Sequence, residues 1–542
     1  MNELPSHDSI LAQTHCFNRE AGISNLILRR ATIEDMRMIY TWRNIPEIIS
    51  LGKTQRPVEW DEHRKWFQEV VMGDNHLLLV VSLGGKPIGQ VRFDRLNDHS
   101  CEVSVLLLPQ YTGRGLGVLA LKHACWEAFA RMDIKEIVAT IRQDNRRSVS
   151  AFRKAGFDFV KQSRVDALPR HAMCNVLRAR HPGEVPHNRI TQGLLEIQAM
   201  ASTVRSGQWG SGPRVAELEV ALAKVAEVRH AVCVGSGTAA LRLTLKGLGV
   251  RPGDGVLVPA YSCVALPSAA LACGASPAPV DVTPHDWNLN CSQAKSMIVT
   301  VSPPTGANRI AAAIVVNTFG VPAAIEQMLD LGIPIIEDCA HGFGIHVNGK
   351  ALGGRTHAAV LSFYATKLIA AGEGGAILTN SAELAEFARS WRDNNDQPPD
   401  GTRLNDKMND LEATLALCQL QRLKDMLASR QSLAKRYDEL LSPEANRTGA
   451  FLLPCISEIR VWYRYAVEML QLPGRDVVEN LMRYRIHAAE PVTDWRSASA
   501  PTCPTADRAY RHVVSLPLYP TLSDEEQMRV VHAFLGVCRE VA

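Results

Sequence analysis

Beyond about residue 189 the sequence alternates short, continuous apolar runs with amphipathic stretches of helical period. Continuous apolar runs of this length are typical of strands that are buried on both faces. The intervening stretches, such as residues 213–227, repeat their apolar residues at helical spacing. We therefore predict a mainly parallel sheet covered by helices on both sides. The apolar runs occupy residues 230–234, 255–260, 311–316, 333–338 and 358–364.

The preceding part of the chain mixes strands and helices in a different pattern. An apolar run, a Gly84-Gly85 turn and an alternating run predict a hairpin over residues 77–94. The pattern after this hairpin predicts a mixed α/β domain. Its further elements are predicted as a strand at 101–109, a helix at 117–132, a strand at 135–142 and a short helix at 148–157.

These two patterns define the expected domain organisation of the 542 residues. The best linker is a segment rich in proline, glycine and charge, and the chain ends in an α+β pattern typical of a smaller lobe. The predicted divisions are an N-terminal extension at 1–22, a first domain at 23–180, a linker at 181–189 and a second domain at 190–542 with its small lobe from about residue 430.

Composition excludes several classes of protein. With 46% hydrophobic and 21% charged residues the chain is not expected to be disordered, and 59 basic against 56 acidic residues predict no nucleic-acid or membrane partner. No apolar run reaches the ~18 residues that span a bilayer, and the start lacks a secretory pattern. The 13 cysteines form no CxxC pair, which predicts a reducing cytoplasm and no metal site.

A short glycine cluster lies between a predicted strand and a predicted helix. Gly113, Gly115 and Gly117 follow the strand that Pro109 stops. Glycines let consecutive backbone N–H groups turn towards one point at the positive end of the following helix. The segment is therefore a candidate cradle for phosphate or pyrophosphate, although an ordinary turn after a strand uses the same residues.

Together with the later segment 145–157, this cluster resembles the GCN5-related N-acetyltransferases over about residues 24–180. The resemblance implies that acetyl-CoA is the co-substrate and that Asn145 reaches its pantetheine arm. It also implies a bulged strand near Leu106 and Leu107 that offers a backbone amide to the thioester oxyanion. The residues implied at the pyrophosphate are Gln110, Tyr111, Thr112, Gly113, Arg114, Gly115 and Gly117.

The acid and the base of this domain stay open at this stage. Many members of the resembled family have a tyrosine acid seven residues after the asparagine, where this chain has Phe152. The thiolate then leaves unaided or takes its proton from elsewhere. Glu102, on the strand before the loop, is the first candidate for the base and His63 is the second. A carboxylate on a strand is also typical of a solvated surface.

Residues 41–48 and 60–67 resemble one subgroup of these acetyltransferases, which modify amino groups of nucleotide-activated sugars, as in pseudaminic acid biosynthesis. Arg43, Asn44 and His63 offer donors suited to a diphosphate-sugar. The alternative is that the neighbouring tryptophans are core residues and that the polar residues cap helices. These tryptophans are Trp42, Trp60 and Trp66.

The most specific constellation lies between Gly235 and Gly375. Residues 236–238, with the sequence Ser-Gly-Thr, follow a buried strand and open a helix, a place that suits a phosphate monoester. Asp338 ends a later strand, and Lys367 follows twenty-nine residues on. Singly, Asp338 would be a strand-end cap, Lys367 a surface residue and the following Gly374-Gly375 a tight turn. Together they are what pyridoxal phosphate needs.

These motifs resemble the DegT/DnrJ/EryC1/StrS aminotransferases, the sugar aminotransferases of aspartate-aminotransferase fold type I, over nearly all of 190–542. The resemblance implies a pyridoxal 5'-phosphate cofactor and a parallel-sheet large domain followed by a small α+β lobe. The segments that carry it are 209–213, 236–238, 337–341, 362–367, 372–375, 405–408 and 515–520.

The resemblance implies a role for each matching residue. Lys367 would bind the cofactor covalently and shuttle the proton, Asp338 would pair with the pyridine nitrogen, and His341 would lie near the phenolic oxygen. Asn405 matches a residue that reaches the cofactor phosphate of the neighbouring subunit, so a homodimer is implied. The residues implied at the phosphate are Ser236, Gly237, Thr238 and Ser362.

One position departs from this family's pattern. Cys263 stands where an aromatic ring usually stacks on the cofactor. Tyr261 would point the same way only if the segment is extended, so the stacking partner stays open. The same family includes dehydratases in which histidine replaces the lysine, and the presence of Lys367 favours transamination.

Together the two domains predict a bifunctional nucleotide-sugar enzyme. It would aminate a nucleotide-linked 4-keto-6-deoxyhexose with L-glutamate as the donor and then acetylate the new amine, for O-antigen or related surface polysaccharides. One alternative is an acetyltransferase domain that acts on an unrelated amine. Another is a regulatory or scaffold role for the pyridoxal domain.

Overall fold

The computed structural model describes residues 26–51, 55–164, 173–299, 307, 309–393, 403–454, 459–498 and 500–541. The chain divides into two compact units. The first ends at Glu184 and also includes the short segment Arg483–Arg485. The second is formed by Val185–Met482 with Ile486–Ala542. The N-terminal extension predicted at 1–22 lies outside the described residues. Within the described part of the chain, no helix has both the length and the apolarity to cross a bilayer.

The first unit is a mixed α/β fold. Its strands form one sheet in the order β1-β2-β3-β4-β5-β7-β6. The strands are β1 Leu26–Arg30, β2 His76–Leu83, β3 Lys86–Asn97, β4 Ser100–Leu107, β5 Glu136–Arg142, β6 Asp158–Arg164 and β7 Met173–Arg180. The helices are α1 Met36–Arg43, α2 Pro46–Leu51, α3 Trp60–Met72, α4 Leu116–Met132 and α5 Arg146–Lys154.

Strands β4 and β5 separate part of the way along their length. They pair in parallel only from Ser100 to Glu102, whereas β4 stays in antiparallel register with β3 as far as Leu107. The bulge predicted near Leu106 is therefore not in the β3–β4 register, whose irregularity lies between Arg95 and Asn97. In place of the predicted bulge, β4 and β5 separate beyond Glu102, and this gap exposes one edge of β4.

Helices cover both faces of this sheet. Helix α4 packs on β1 to β4, over a core that includes Phe93, Cys101 and Val103. Helix α3 packs on the other face against β2, over a smaller apolar cluster around Phe67. Since neighbouring residues of a strand point to opposite faces, Glu102 lies on the α3 face.

The second unit contains a large sheet in the order β10-β9-β11-β12-β15-β16-β8. All neighbouring pairs from β10 to β15 are parallel, and β16 is antiparallel to both of its neighbours. The predicted mainly parallel sheet is confirmed. Its strands are β8 His230–Val234, β9 Gly255–Pro259, β10 Ser276–Val280, β11 Ile310–Val316, β12 Ile335–Asp338, β15 Ala358–Ser362 and β16 Gly375–Thr379.

Helices pack on both faces of the large sheet, as the doubly buried apolar strands require. Two clusters of buried side chains, one around Leu218 and Phe363 and one around Leu241 and Ile314, fill these faces. The helices of this part are α6 Leu194–Ser206, α7 Pro213–Val225, α8 Gly237–Gly247, α9 Ala265–Leu271, α10 Cys291–Val299, α11 Ile325–Leu329, α12 Ala382–Arg392 and α13 Asp410–Gln421. A two-stranded hairpin comprises β13 His346–Val347 and β14 Lys350–Ala351.

The C-terminal part forms a smaller antiparallel sheet of β17, β18 and β19. Helices α14 and α17 pack together, and α16 packs on β18 and β19. The strands are β17 Phe451–Leu452, β18 Tyr465–Met469 and β19 Val513–Leu516, and the helices are α14 Leu423–Thr448, α15 Gly474–Arg483, α16 Pro504–His512 and α17 Asp524–Val541.

Candidate active sites

The carboxyl ends of the parallel strands in the second unit bring the candidate residues to one edge of the sheet. Strand β8 leads into Ser236, β12 ends at Asp338, and β15 ends at Ser362 before the turn that carries Lys367. Open α/β sheets bind their ligands at this edge. The structure therefore gathers at one place residues that are up to 131 positions apart in the sequence.

Ser236 and Gly237 form a compact loop at the start of α8. Ser236 caps the helix, with its Oγ accepting from the amide of Ala239 at 3.1 Å. A Cβ on Gly237 would lie 3.0 Å from Cβ of Ser362, and a Cβ on Gly375 would lie 2.6 Å from the carbonyl of Ser236. Only glycine fits at position 375 without moving this loop, so its backbone is held at the positive end of α8, where an anion binds.

Asp338 is buried at the end of β12, with 6% of its surface exposed. Its Oδ1 accepts from the amide of Ala340 at 2.8 Å. Burial raises the pKa of this carboxyl, while the hydrogen bond from Ala340 and the charge of Lys367 act in the opposite direction. A buried carboxylate of this kind is stabilised by a cationic partner.

An ion pair behind Asp338 fixes the end of β12. Glu337 is fully buried and accepts from Arg355 at 2.6 Å, from Asn317 at 3.0 Å and from the amide of Gly353 at 3.1 Å. Arg355 is also buried. Because two charges are removed from water here, each depends on the other.

Replacing Glu337 with alanine is expected to lower the free energy of unfolding by about 3–5 kcal/mol, since the charge of Arg355 is left buried and unpaired. Chemical denaturation followed by circular dichroism measures the change. The control is Glu326→Ala, because Glu326 is 57% exposed at 3.9 Å from the same arginine, and we expect it to cost less than about 1 kcal/mol. Equal losses for the two variants would contradict the role assigned to Glu337.

His341 lies between two aromatic rings near the same edge. Its ring stacks on Tyr463, with 4.3 Å between centroids, and on Phe319 at 5.9 Å. Burial, with the charges of Lys367 and Arg464, holds the pKa of His341 well below its usual value, so the imidazole is neutral. Its Nδ1 is buried and has no hydrogen-bond partner among the described residues.

Tyr463 and Arg464 were not found by sequence reasoning, although Tyr463 lies next to Lys367 and Arg464 lies next to Tyr463. The Lys367 ammonium is 5.2 Å from the centre of the Tyr463 ring. Burial raises the pKa of Tyr463, but the charges of Lys367 and Arg464 and a hydrogen bond with Thr366 outweigh it and lower the pKa to about 8. The sequence signal for these two residues was their position next to Trp462 in a buried segment. Such a position indicates core residues and not catalytic residues.

A recess opens beside these residues within the second unit. Its walls include His187, a residue of the segment predicted as a linker, and Ser515. His187 Nε2 lies 2.9 Å from the Ser515 hydroxyl, and burial together with the charge of Arg464 lowers its pKa to about 3. The recess is lined by His187, Asn188, Thr366, Tyr463, Arg464 and Ser515, with Leu516 and Leu518.

Cys263 and Tyr261 have different surroundings. Cys263 is exposed. Tyr261 is 1% exposed and packs edge-on against Phe319 and Tyr510. The segment does not give the two side chains the same environment, so Tyr261 belongs to the aromatic core and does not replace the expected stacking ring.

The side chain of Asn405 is exposed. The residue after it contacts the phosphate loop of its own chain, because the Asp406 carbonyl accepts from the amide of Gly235 at 2.7 Å. Asp406 also pairs with Arg242. The segment is thus fixed against α8 and leaves Asn405 facing outward.

In the first unit the glycine cluster has the geometry of a cradle. Gly113 and Gly115 have φ values of +80° and +81°, and Gly115 caps the 17-residue helix α4. A Cβ on Gly113 would lie 3.0 Å from the guanidinium of Arg147. This arginine, which sequence reasoning missed, adds a positive charge beside the backbone amides.

Among the other candidate residues of this unit, two have structural contacts and one is partly exposed to solvent. Asn145 caps α5, with its Oδ1 accepting from Ser148 at 3.1 Å. Phe152 is buried edge-on against Phe157. Glu102 is partly exposed on the sheet face under α3, at the point where β4 and β5 separate.

His63 is a core residue. It is fully buried, and its Nε2 lies 2.9 Å from the carbonyl of Met36, to which it donates. Burial holds the pKa of His63 below its usual value, despite this hydrogen bond. Its Nδ1 faces Arg43 at 3.5 Å. Both ring nitrogens thus have neighbours within the fold, and the structure does not favour His63 as a base.

Two arginines lie on the indole of Trp66. The guanidinium of Arg43 is 4.2 Å and that of Arg92 is 5.1 Å from the ring centre. Arg92 pairs with Asp94, whereas Arg43 has no carboxylate within ion-pair distance among the described residues. Asn44 instead closes a loop, exchanging two hydrogen bonds with the backbone of Val58.

Comparison with known proteins gives two family matches. A model described as the DegT/DnrJ/EryC1/StrS aminotransferase family matches residues 192–535. A model described as an acetyltransferase (GNAT) domain matches residues 25–158.

Individual relatives are similar to about two thirds of this chain. A UDP-2-acetamido-2-deoxy-3-oxo-D-glucuronate aminotransferase of Pseudomonas aeruginosa is 30% identical over 61% of this chain and 92% of its own length. A pleiotropic regulatory protein of Geobacillus stearothermophilus is 26% identical over 64% and 95%. The crystal structure of NtdA from Bacillus subtilis with bound cofactor PMP is 25% identical, has a TM-score of 0.58, and covers 64% of this chain and 83% of its own.

Proposed function

The chain belongs to the DegT/DnrJ/EryC1/StrS aminotransferase family and carries an N-terminal GNAT acetyltransferase domain, and from this premise we propose that it makes an N-acetylated amino-sugar. The second unit would aminate a nucleotide-linked 4-keto-6-deoxyhexose with L-glutamate as the donor. The first unit would acetylate the new amine with acetyl-CoA. The product would serve surface polysaccharides such as O-antigen.

The observation that carries the first step is the fit of the strand-end site to pyridoxal phosphate. The loop at Ser236 packs so closely on residue 375 that a Cβ there would lie 2.6 Å from the Ser236 carbonyl, which holds the loop backbone at the positive end of α8, where an anion binds. Asp338 is a buried carboxyl in need of a cation, and the buried Nδ1 of His341 has no hydrogen-bond partner among the described residues. When bound, the cofactor supplies an electron sink for breaking a C–H bond next to the amine.

Each residue of this site then has a defined task. Lys367 holds the cofactor and moves the proton. Asp338 keeps a proton on the pyridine nitrogen by pairing with it, and neutral His341 offers a hydrogen bond to the phenolic oxygen. The amides and hydroxyls of Ser236, Gly237, Thr238 and Ser362 bind the phosphate. Because Cys263 is exposed and is not aromatic, it would offer the cofactor ring no stacking partner at that position.

For the second step, the cradle of residues 110–117 would bind the pyrophosphate of acetyl-CoA, with Arg147 adding charge and Asn145 close to the pantetheine arm. The sugar amine attacks the thioester carbon, the C–S bond breaks, and CoA leaves as the thiolate, because Phe152 stands where many relatives have a tyrosine acid. A backbone amide on the open edge of β4 near Leu106 and Leu107 stabilises the oxyanion. Glu102 takes the proton released by the amine.

The acceptor sugar would enter over the face that carries Glu102. Arg43 and Arg92 bring two guanidinium groups to Trp66 on this face, and of the two it is Arg92 that is paired with a carboxylate, at Asp94. The guanidinium of Arg43 therefore suits the diphosphate of a nucleotide-sugar. The polar atoms of Asn44 and His63 bond within the fold. We therefore assign the acceptor site to Arg43, Arg92 and Trp66 and not to Asn44 and His63, which the sequence had indicated.

We also propose the assembly and place of the enzyme. The exposed Asn405 would contact the cofactor phosphate of a second copy, so the active form is a homodimer. The domains run over 23–180 and 190–542, with a small lobe from about 430, and one chain keeps both sites at high mutual concentration. The free thiols among the described cysteines suit a reducing cytoplasm.

Incubating the protein with a nucleotide-4-keto-6-deoxysugar, glutamate and acetyl-CoA is expected to give the acetamido-sugar, detected by mass spectrometry. Omitting acetyl-CoA is expected to give the free amino-sugar, and omitting glutamate should give neither. If the amino-sugar forms but is never acetylated, the acetyltransferase acts on an unrelated amine. If no amino-sugar forms with any nucleotide, the proposed amination is wrong.

A second candidate, a regulatory or scaffold role, is favoured by the similarity to the pleiotropic regulatory protein of Geobacillus stearothermophilus. The presence of both Lys367 and Asp338 favours catalysis instead. An absorption band near ~400 nm in the purified protein, which glutamate bleaches, is expected for the enzyme. A stable protein without that band would support the regulatory role.

A further inference from the structure

Arg464 immediately precedes β18, on the wall of the recess beside Lys367. Its Nη1 lies 3.0 Å from Nε2 of His187, and its guanidinium carbon is 5.1 Å from the centre of the Tyr463 ring. The Lys367 ammonium is 5.2 Å from the same centre. The two cations are therefore no farther apart than about twice that distance, and Tyr463 lies next to both.

The charge of Arg464 has no counter-ion. No carboxylate of the described residues lies within ion-pair distance of it, and its Nε is buried without a hydrogen-bond partner. Its neighbour His187 is kept neutral by burial and by the charge of Arg464 itself. A partly buried guanidinium in this state is costly unless an anion joins it.

A second arginine, Arg430, lies close to Arg464 and does not neutralise its charge. Arg430 is buried and its Nη1 donates to the carbonyls of Trp462, Tyr463 and Leu518, so it brings a second positive charge to the same wall. Burial lowers the pKa of Arg430 to about 10, which leaves it protonated at neutral pH. The recess therefore has an excess of positive charge.

We propose that Arg464 binds the carboxylate of the amino donor, an inference that rests on the proposed transamination. In an amino acid one carbon separates the amine from the α-carboxylate, and in glutamate a second carboxylate lies three carbons further on. The Lys367 and Arg464 cations both lie within 5.2 Å of the centre of the Tyr463 ring, so Arg464 is a guanidinium beside the reacting amine that a carboxylate of the donor would meet. The planar fork of a guanidinium pairs with a carboxylate through two parallel hydrogen bonds.

The alternative source of an anion is the diphosphate of the sugar substrate, which reacts at the same place in the second half of the cycle. We favour the carboxylate because the recess is small, with a volume of about 250 Å³, and its lining includes Tyr463, His187 and Ser515. The experiment is arranged so that each source gives its own signal.

Isothermal titration calorimetry of the cofactor-loaded protein measures binding of glutarate, a dicarboxylate without an amine, and separately of UDP and of dTDP. We expect Arg464→Met to weaken glutarate binding about 10–100-fold, as for loss of a charged hydrogen-bonded pair, and to leave the nucleotides unchanged. Arg464→Lys keeps the charge without the fork and is expected to lie between. The control is Arg475→Met, because Arg475 is 75% exposed.

Kinetics give a second readout. Arg464→Met is expected to raise KM for glutamate by a similar factor, with a much smaller change in kcat and an unchanged cofactor absorption band. Unchanged glutarate affinity, or a loss for nucleotides instead, overturns the proposal while amination by the wild-type protein still stands. If Arg464→Met fails to retain the cofactor, Arg464→Lys decides, since equal glutarate binding by Arg464→Lys and wild type contradicts a bidentate contact.

Discussion

Replacing Lys367 with alanine is expected to reduce amination by about 10³-fold or more and to remove the absorption band near ~400 nm. The amine of Lys367 is the group next to Asp338 and Tyr463 that can bond to the cofactor. Alanine has no amine, so residue 367 can then neither bond to the cofactor nor move the proton between the two carbons that exchange it. Spectroscopy of the purified variant and a glutamate-dependent amination assay measure the two losses.

The matched control for this variant is Lys350→Ala, because Lys350 is exposed on the β13–β14 hairpin. Its band and its activity should equal those of the wild-type protein. A Lys367→Ala protein that keeps the ~400 nm band would show that another amine holds the cofactor. Acetylation of an added amino-sugar serves as an internal check, since the first unit does not depend on Lys367.

The sheet edge of the second unit was predictable because its determinants are local in sequence. Continuous apolar runs mark the strands, and the polar residues that follow them, Ser236, Asp338 and Ser362, mark their carboxyl ends. Parallel strands place those ends on one edge whatever the connections between them. The order of strands follows from no such local pattern and required the structure.

Tyr463, Arg464 and His187 were not predictable for a physical reason. They come from the segment before β18 and from the stretch before the second family match, and they meet Thr366 only in three dimensions. Proline, glycine and charge around His187 indicate a connecting segment, and in fact residues 186–193 form no helix or strand. Irregular backbone is nevertheless well packed here, with His187 hydrogen bonded to Ser515.

In the first unit the glycine turn before α4 was predictable, because glycines that follow a strand are typical of backbone with positive φ, and Gly113 and Gly115 both take the left-handed conformation. Which polar residues near Trp66 are available to a substrate was not predictable, because residue type does not tell which polar atoms are already hydrogen bonded within the fold. His63 bonds to a backbone carbonyl and Asn44 closes a loop. Arg92 was overlooked because its alternation on β3 looks like an ordinary solvated strand face.

Replacing Asp338 with asparagine is expected to lower kcat for amination by about 10²–10³-fold, as for loss of one preorganised electrostatic group. Asparagine has the same shape and can still accept from the amide of Ala340, so the end of β12 is expected to stay in place. What it lacks is the charge that holds a proton on the pyridine nitrogen. The phosphate loop is untouched, and the variant is therefore expected to retain the cofactor.

A cofactor analogue separates this electrostatic role from a structural one. Pyridoxal phosphate methylated on its ring nitrogen carries a permanent positive charge, so it should restore part of the activity of Asp338→Asn. The control is Asp330→Asn, because Asp330 is exposed after α11, and its activity should not change. Full activity of Asp338→Asn with the ordinary cofactor would exclude the pairing. A loss that the analogue does not repair would contradict the electrostatic role, because asparagine keeps the hydrogen bond from Ala340 and the analogue supplies the charge on the ring nitrogen.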